Sequence, residues 1–173
     1  MVFWSDINVD NIETVPGPRD KTKFRYNDGP LRFQIPRAWS NFGVSAYKSI
    51  NLEVKNGEFS EWWRALEKSL CAREPFNSNL KMGSLRLKVD DSAYVFDENS
   101  KQICPEIKEG LFRGQEVSCM IDIDSTYFFN GNWGLTIRLY QIKTLTAPPT
   151  ECDGPDEPSV LAQGICAFLP EAA

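Results

Sequence analysis

A stretch with a tight turn at its centre most constrains the fold of this chain. Residues 126–145 read TYFFNGNWGLTIRLYQIKTL, in which two β-prone runs flank Asn130-Gly131. This residue pair favours a type I′ turn, whose twist matches that of two antiparallel strands. Apolar residues alternate along the second run as far as Leu139 but change parity at Ile142. The stretch therefore predicts a β-hairpin whose second strand has a β-bulge near Tyr140.

Further short segments with alternating apolar residues predict more strands. They read LRFQI at 31–35, SINLEV at 49–54, LRLKV at 85–89, YVF at 94–96 and VSCMIDI at 117–123. FSEWWRALEKSL at 59–70 instead repeats its apolar residues at helical spacing, and its tryptophans are expected in the core. About six or seven strands, one helix and no βαβ alternation favour a closed or nearly closed antiparallel barrel.

The negative charge of the chain is concentrated at one end. The net charge is −5, from 19 basic and 24 acidic residues. Residues 151–173 contain five of the acids and no Lys or Arg, so the rest of the chain is neutral, with 19 of each. We predict an acidic tail at 148–173 after a barrel domain at 31–147. Residues 1–30 are polar and loop-rich, and form an N-terminal arm or an extra strand; residues 38–44 are expected to be a loop.

Several features predict an intracellular protein. The first residues have no basic and apolar leader pattern, no apolar run is long enough to span a bilayer, and no N-glycosylation sequon occurs. The five cysteines are odd in number and widely spaced, which favours reduced thiols, with Cys119 in the core. A cytosolic or nuclear location is therefore expected, without secretion or membrane contact.

Recognisable catalytic motifs are absent from the sequence. The chain has no histidine, phosphate loop, dinucleotide fingerprint or nucleophile elbow. Asp122 and Asp124 could together hold a divalent ion, although a solvated strand face explains them better. Two distant carboxylates acting as a hydrolase remain a remote alternative. We therefore expect a protein that is not an enzyme and that has no cofactor or metal.

Basic and aromatic residues recur on the outward positions of the predicted strands. A surface of this kind can hold phosphates while nucleobases stack on its rings. Ordinary core rings with scattered surface cations would produce the same composition. Nucleic-acid binding and a non-enzymatic β-barrel or sandwich interaction module, such as a carbohydrate-binding domain, are both open on the residues alone. Cations collected in one groove would favour nucleic acid, and cations on all faces would favour the interaction module.

The order of motifs adds a family resemblance over residues 25–147. PLRFQIPR and FGVS within 30–45 and GLTIRLYQI at 134–142 are its most telling pieces, with the helix of 59–70 between them. In this order they resemble the single-stranded-DNA-binding proteins of large eukaryotic DNA viruses. Those proteins are similar in turn to the single-stranded-DNA-binding protein of the T-seven phage type. The tail departs from the phage pattern, since it is short and partly apolar and Phe168 lies five residues before its end.

The resemblance implies a mainly β OB-fold, with a five-stranded antiparallel barrel, one main helix and long loops. It implies binding of single-stranded DNA in viral replication, recombination and repair. It also implies a tail that engages the replicative polymerase or other replication proteins, and a possible homodimer. We expect phosphate contacts from Arg32, Arg37, Arg86, Lys88, Arg138 and Lys143, and base stacking on Trp39, Tyr94, Tyr127 and Trp133. In the tail, partner binding is expected from Asp153, Asp156, Glu157 and Phe168.

Overall fold

The computed structural model describes residues 2–145 and Phe168. In this part of the chain, eleven strands form one sheet and one α-helix packs against it. The strands are β1 (Ile12–Pro16), β2 (Thr22–Tyr26), β3 (Gly29–Gln34), β4 (Ala38–Ser40), β5 (Ser49–Glu53), β6 (Leu80–Lys81), β7 (Ser84–Lys88), β8 (Tyr94–Phe96), β9 (Gln102–Ile103), β10 (Gln115–Phe129) and β11 (Asn132–Thr144). The helix is α1 (Gly57–Leu70), and three short 3-10 helices cover Trp4–Asp6, Val9–Asn11 and Pro18–Asp20.

Five strand positions close into a barrel. The ring runs from β3 and β4 through β5, β7 and β11 to β10, which pairs again with β3 and β4. The pair β7–β11 is parallel, through Lys88 and Arg138, and the other pairs of the ring are antiparallel. Strands β1 and β2 extend the sheet beyond β3, and β8 and β9 extend it beyond β11. The prediction of a five-stranded barrel with one helix is confirmed.

The long hairpin β10–β11 has the predicted turn and the predicted bulge. Asn130 and Gly131 both have positive φ angles, 49° and 76°, as a type I′ turn requires. Met120 pairs with Gln141 and Ile121 with Leu139, so Tyr140 is the extra residue of a bulge. A second irregularity follows Ile123. Bulges bend a strand and increase its twist, which lets these long strands curve around the barrel.

The helix α1 closes one side of the barrel with an aromatic stripe. The Asn56 side chain caps the helix by accepting a hydrogen bond from the Phe59 amide at 3.0 Å. Phe59 and Trp63 are fully buried, and Trp62 packs between Trp4 and the core. The helical tryptophans are therefore core anchors, as predicted. No helix in the described ranges is long and apolar enough to cross a membrane.

Cys119 lies in the barrel core, as predicted. It is fully buried, and burial raises the pKa of its thiol, so the group stays protonated and unreactive. Cys71, Cys104 and Cys119 are the cysteines of the described part of the chain, and all three are free thiols.

The structure corrects one expectation about a loop. Residues 38–44 were expected to be a loop, but Ala38–Ser40 is strand β4 and pairs with Gln115, Glu116 and Val117 of β10. A strand of three residues is too short to show a period, so only its long partner reveals it. The polar stretch 1–30 contains strands β1 and β2, which form a hairpin. Four of the five residues of β1 are exposed, so this strand lacks the apolar alternation that predicts a strand.

One carboxylate is buried where α1 meets the segment 71–79. Glu67 accepts a hydrogen bond from the Ser78 hydroxyl through Oε1 at 2.7 Å. Its other oxygen, Oε2, is buried without a hydrogen-bond partner among the described residues. Burial raises the pKa of Glu67, and the Ser78 hydrogen bond offsets this only in part. Glu67 therefore ties the segment after α1 to the helix at some cost in stability when it is ionised.

We predict that Glu67→Gln changes the pH dependence of stability. Above the ordinary glutamate pKa of 4.5 the unfolded chain releases a proton that folded Glu67 retains, so wild-type stability falls until the folded pKa is passed. Glutamine has no such proton. Between these two pKa values, the free energy of unfolding of the variant should rise relative to that of wild type. The rise should be about 1.4 kcal/mol for each unit by which folding raises the pKa of Glu67. Urea unfolding at about pH 4 and about pH 7 measures the gain. Exposed Glu61→Gln is the control, and an equal pH response in both variants contradicts the prediction.

Candidate nucleic-acid interface

A groove of about 890 Å³ lies on one side of the barrel. Its walls are the loop 41–48, the outer face of β5 and β7, the segment 77–79 and the tip of the hairpin β10–β11. Four cationic side chains line it: Lys48, Lys81, Arg86 and Lys88. Three aromatic side chains line it: Tyr47, Tyr127 and Phe129. Five asparagines join them: Asn51, Asn77, Asn79, Asn130 and Asn132. None of the described lining residues is acidic.

The alternation of strand β7 places two cations in the groove. Leu85 and Leu87 are fully buried in the barrel, so Arg86 and Lys88 between and after them face outward and are exposed. Register with β5 sets Asn51 opposite Arg86 and Ser49 opposite Lys88. The floor of the groove is therefore a strand pair with small polar side chains next to long cationic ones.

Tyr127 packs over a glycine on the neighbouring strand. The two residues are cross-strand partners, and the Tyr127 ring covers Gly134. A Cβ at position 134 would overlap the end of the phenol ring in this position. The glycine thus leaves the space in which the ring lies against the sheet while lining the groove.

Phe129 and Tyr47 complete the aromatic lining and were not assigned to the site from sequence. Phe129 shares the strand face of Tyr127 two residues earlier and is 67% exposed. Tyr47 lies in the opposite wall and is 89% exposed. The parity of β10 could have identified Phe129. Nothing local in the sequence identifies Tyr47, because its loop is placed in the groove by the folding of the barrel.

Arg138 extends the basic surface beyond the edge of the groove. It is exposed and lies beside Lys88 in the β7–β11 register. Asp90 lies near both cations. The hydroxyl of Ser92, which donates to the Asp90 carboxylate, and then the charges of Arg138 and Lys88 hold the pKa of Asp90 below its ordinary value. Asp90 therefore remains ionised and offsets part of the positive charge at this edge.

Arg32 and Tyr94, both predicted DNA contacts, belong to a separate cluster outside the groove. The Arg32 guanidinium donates two hydrogen bonds to Asp122, at 2.6 and 2.9 Å. It also lies 3.3 Å from the ring centroid of Tyr140, the bulge residue. Tyr94 packs edge-on against Tyr140 at 5.6 Å. This cluster ties β3, β10, β11 and β8 together, and the charge of Arg32 is already matched.

Arg37 and Trp39 lie in an acidic part of the surface. Arg37 is within 3.5 Å of Glu116. Trp39 on β4 is paired in register with Glu116 of β10 and Glu53 of β5. Neither residue lines the groove. Two carboxylates beside an aromatic ring make this a poor place for a phosphate chain.

Lys143 and Trp133 also lie outside the groove. Lys143 donates a hydrogen bond to the Ser100 hydroxyl at 2.7 Å, towards the far end of β11. Trp133 is opposite Phe128 in the hairpin ladder, and the two rings are 5.0 Å apart. This pair occupies the hairpin face opposite to that of Tyr127. Of the ten predicted DNA contacts, the groove brings together Arg86, Lys88 and Tyr127, with Arg138 at its edge.

The predicted partner-binding tail falls mainly on residues that the structure does not describe. Asp153, Asp156 and Glu157 lie outside the described residues. Phe168 is described, is half-buried, and packs edge-on against Phe96 of β8 with ring centroids 6.2 Å apart.

The two aspartates considered for a divalent ion do not act as a pair. Asp122 is engaged by Arg32, and Asp124 is exposed at the second irregularity of β10. Within the described ranges, no group of three or more acidic or cysteine side chains could hold a metal ion.

Comparisons with known proteins place this arrangement among OB-fold proteins. The sequence matches no known family model, and no curated protein matches it. The fold is similar to that of the single-stranded DNA-binding protein from bacteriophage Enc34, with a TM-score of 0.53 and 12% identity over 84% of this chain and 96% of that one. The Enc34 protein in complex with ssDNA gives 0.48 and 13% over 82% and 99%. The gp2.5 protein of bacteriophage T7 gives 0.44 and 13% over 73% and 97%.

At these identities a structural likeness bears on the fold. The first of them, together with the closed five-stranded ring, confirms the predicted mainly β OB-fold. The class of protein is therefore an OB-fold barrel with one helix between its second and third strands.

Proposed function

We propose that this protein binds single-stranded DNA in the groove between loop 41–48, strands β5 and β7 and the β10–β11 hairpin. The distribution of charge supports this most directly. The chain carries a net charge of −5, yet among the described residues four cations and no acidic side chain line the groove. Cations gathered on one face can neutralise successive phosphates of a strand and release their counterions. A carbohydrate-binding or virion structural module would have no need for this segregation.

The shape and aromatic lining of the groove suit a single strand. OB-folds bind oligonucleotides across their second and third strands, between the loops that join strands one and two and strands four and five. Here those elements are β5 and β7, loop 41–48 and the Asn130-Gly131 turn. Exposed rings on both walls offer stacking surfaces that accept any base, so binding should show little sequence preference. The Enc34 protein, which shares the fold, is by its name a single-stranded DNA-binding protein.

We further propose the biological setting that the family resemblance implied. In this proposal the protein is a non-enzymatic single-stranded-DNA-binding protein of a large eukaryotic DNA virus. It acts in replication, recombination and repair in the host cytoplasm or nucleus. It engages the replicative polymerase or another replication protein, and it forms a homodimer.

The first prediction from this function concerns the groove cations. Arg86→Ala with Lys88→Ala should weaken binding to labelled oligo-dT about tenfold or more at 50 mM salt, and less at 200 mM. The salt slope should fall by about 1.4, because each lost phosphate contact removes about 0.7 for single strands. Fluorescence anisotropy titrations measure both quantities. The matched control is Arg64→Ala with Lys68→Ala on the exposed side of α1. Equal affinity in both double variants, or wild-type binding to duplex as tight as to oligo-dT, would refute the proposal.

The second prediction concerns the aromatic lining. Tyr127→Ala, Phe129→Ala and Tyr47→Ala should each cost about 1–3 kcal/mol of binding free energy if one base stacks on each ring. The salt slope should stay at the wild-type value, because no phosphate contact is lost. Trp39→Ala removes an exposed ring that is outside the groove lining, and serves as the control. Losses of similar size for Trp39 and the groove residues would count against stacking in the groove.

The third prediction tests whether the acidic tail competes with DNA for the groove, a role that the family resemblance also implies. Neutralising its acids with Asp153→Asn, Asp156→Asn and Glu157→Gln should tighten oligo-dT binding at low salt, since less negative charge competes with phosphate. The gain should shrink near 200 mM salt as screening increases. Unchanged affinity at low salt would exclude this role. Phe168→Ala, measured separately, reports whether its packing on Phe96 matters for the competition.

A further inference from the structure

The hairpin β10–β11 has a second aromatic and cationic surface on the face away from the groove. It consists of Phe128, Trp133 and Arg73, and we name it the back platform. The Phe128 and Trp133 rings lie 5.0 Å apart, and the Arg73 guanidinium lies 4.3 Å from the ring centroid of Trp133. Residues opposite one another in a ladder share one face, and neighbouring residues face opposite sides. Tyr127 and Phe129 therefore face the groove. Phe128, which lies between them in β10, faces the back platform together with its ladder partner Trp133.

Backbone hydrogen bonds hold the back platform in place. The Trp133 amide donates to the Pro75 carbonyl at 2.8 Å, and the Asn77 amide donates to the Trp133 carbonyl at 2.7 Å. These bonds fasten the segment after α1 to the hairpin close to its tip. Arg73 is therefore presented to Trp133 by a fixed stretch of backbone. A preformed surface of this kind loses little conformational entropy on binding a ligand.

The back platform is open to solvent, and its cation has no acidic partner in the described part of the chain. Phe128 is 59% exposed, and Arg73 is exposed. Among the described residues Arg73 makes no ion pair, not even with the neighbouring exposed Glu74. A planar guanidinium stacked on an indole, with its hydrogen-bond donors free at the edge, can hold a phosphate while a base stacks on an adjacent ring.

We propose that the back platform is a second contact for the same DNA strand, which leaves the groove past Phe129 and crosses the Asn130-Gly131 tip. This inference rests on the proposed function. The two faces are separated only by the thickness of one strand pair, and the turn between them has two residues. A nucleotide chain that fills the groove therefore needs few further nucleotides to reach Phe128. The tip carries no acidic side chain that would repel the strand, since residues 126–134 contain neither Asp nor Glu.

The test compares Arg73→Ala with Phe128→Ala, as a double variant, with wild type on oligo-dT of about 6, 12 and 24 nucleotides. These lengths bracket the site sizes of about 4–16 nucleotides that OB-folds show. At each length the measured quantity is the ratio of the two dissociation constants, which cancels the statistical advantage of long strands. We expect a ratio near one on the shortest strand and about fivefold or more on the longest, the effect of one lost base stack. Arg73→Lys keeps the charge without the planar stack and should give an intermediate ratio.

The matched control is Arg64→Ala with Trp39→Ala, an exposed arginine and an exposed tryptophan outside both surfaces. Its ratio should stay near one at every length. A ratio near one for the back-platform variant at all lengths overturns the inference. An equal loss at all lengths also overturns it, because the variant would then act through the shape of the groove. If wild type binds no oligo-dT of any length, the proposed function itself fails, an outcome that the length series separates from the other two.

Discussion

The curvature of the β10–β11 hairpin is the constraint on which the rest of the structure depends. Two strands of this length would run past the barrel if they stayed straight, and the irregularities beside Ile121 and after Ile123 bend them around it. The bend brings β11 beside β7 and allows the single parallel bridge that completes the ring. It also turns the extra residue Tyr140 outward, where Arg32 covers it while binding Asp122. Arg32, which was predicted from the sequence to contact DNA, therefore stabilises the barrel instead.

The same hairpin organises the proposed site. Its tip extends past the barrel wall and forms one side of the groove, while the opposite side comes from loop 41–48. Alternation along the ladder divides its aromatic residues between two faces, the groove and the back platform. The barrel also segregates charge, because Arg37 is placed beside the Glu116 carboxylate, whereas Arg86 is placed in a groove whose described lining residues include no acid. In this way a protein with a net negative charge can have a local cationic surface.

Local sequence patterns were sufficient to predict part of the fold and a small part of the proposed site. The Asn130-Gly131 turn, the bulge at Tyr140 and the aromatic stripe of α1 depend on neighbours within a few residues, and each was predicted. Strand β4 was missed because three residues cannot show a period. Tyr47 was missed because its loop approaches the groove only through the pairing of β5 with β7. Arg73 was missed because its partner Trp133 lies sixty residues later in the chain.

Local preferences along the chain were enough to predict which segments become strands around a tight hairpin, and which residue types are available for binding. Turn preference and side-chain alternation act over a few residues, so the chain order is enough to predict them. The neighbours of each outward-facing cation, in contrast, depend on the tertiary structure. Arg32, Arg86 and Arg138 all follow the same outward parity, yet one is bound by Asp122, one lines the groove and one lies at its edge. Barrel register sets these neighbours, and register depends on pairings between residues far apart in the sequence.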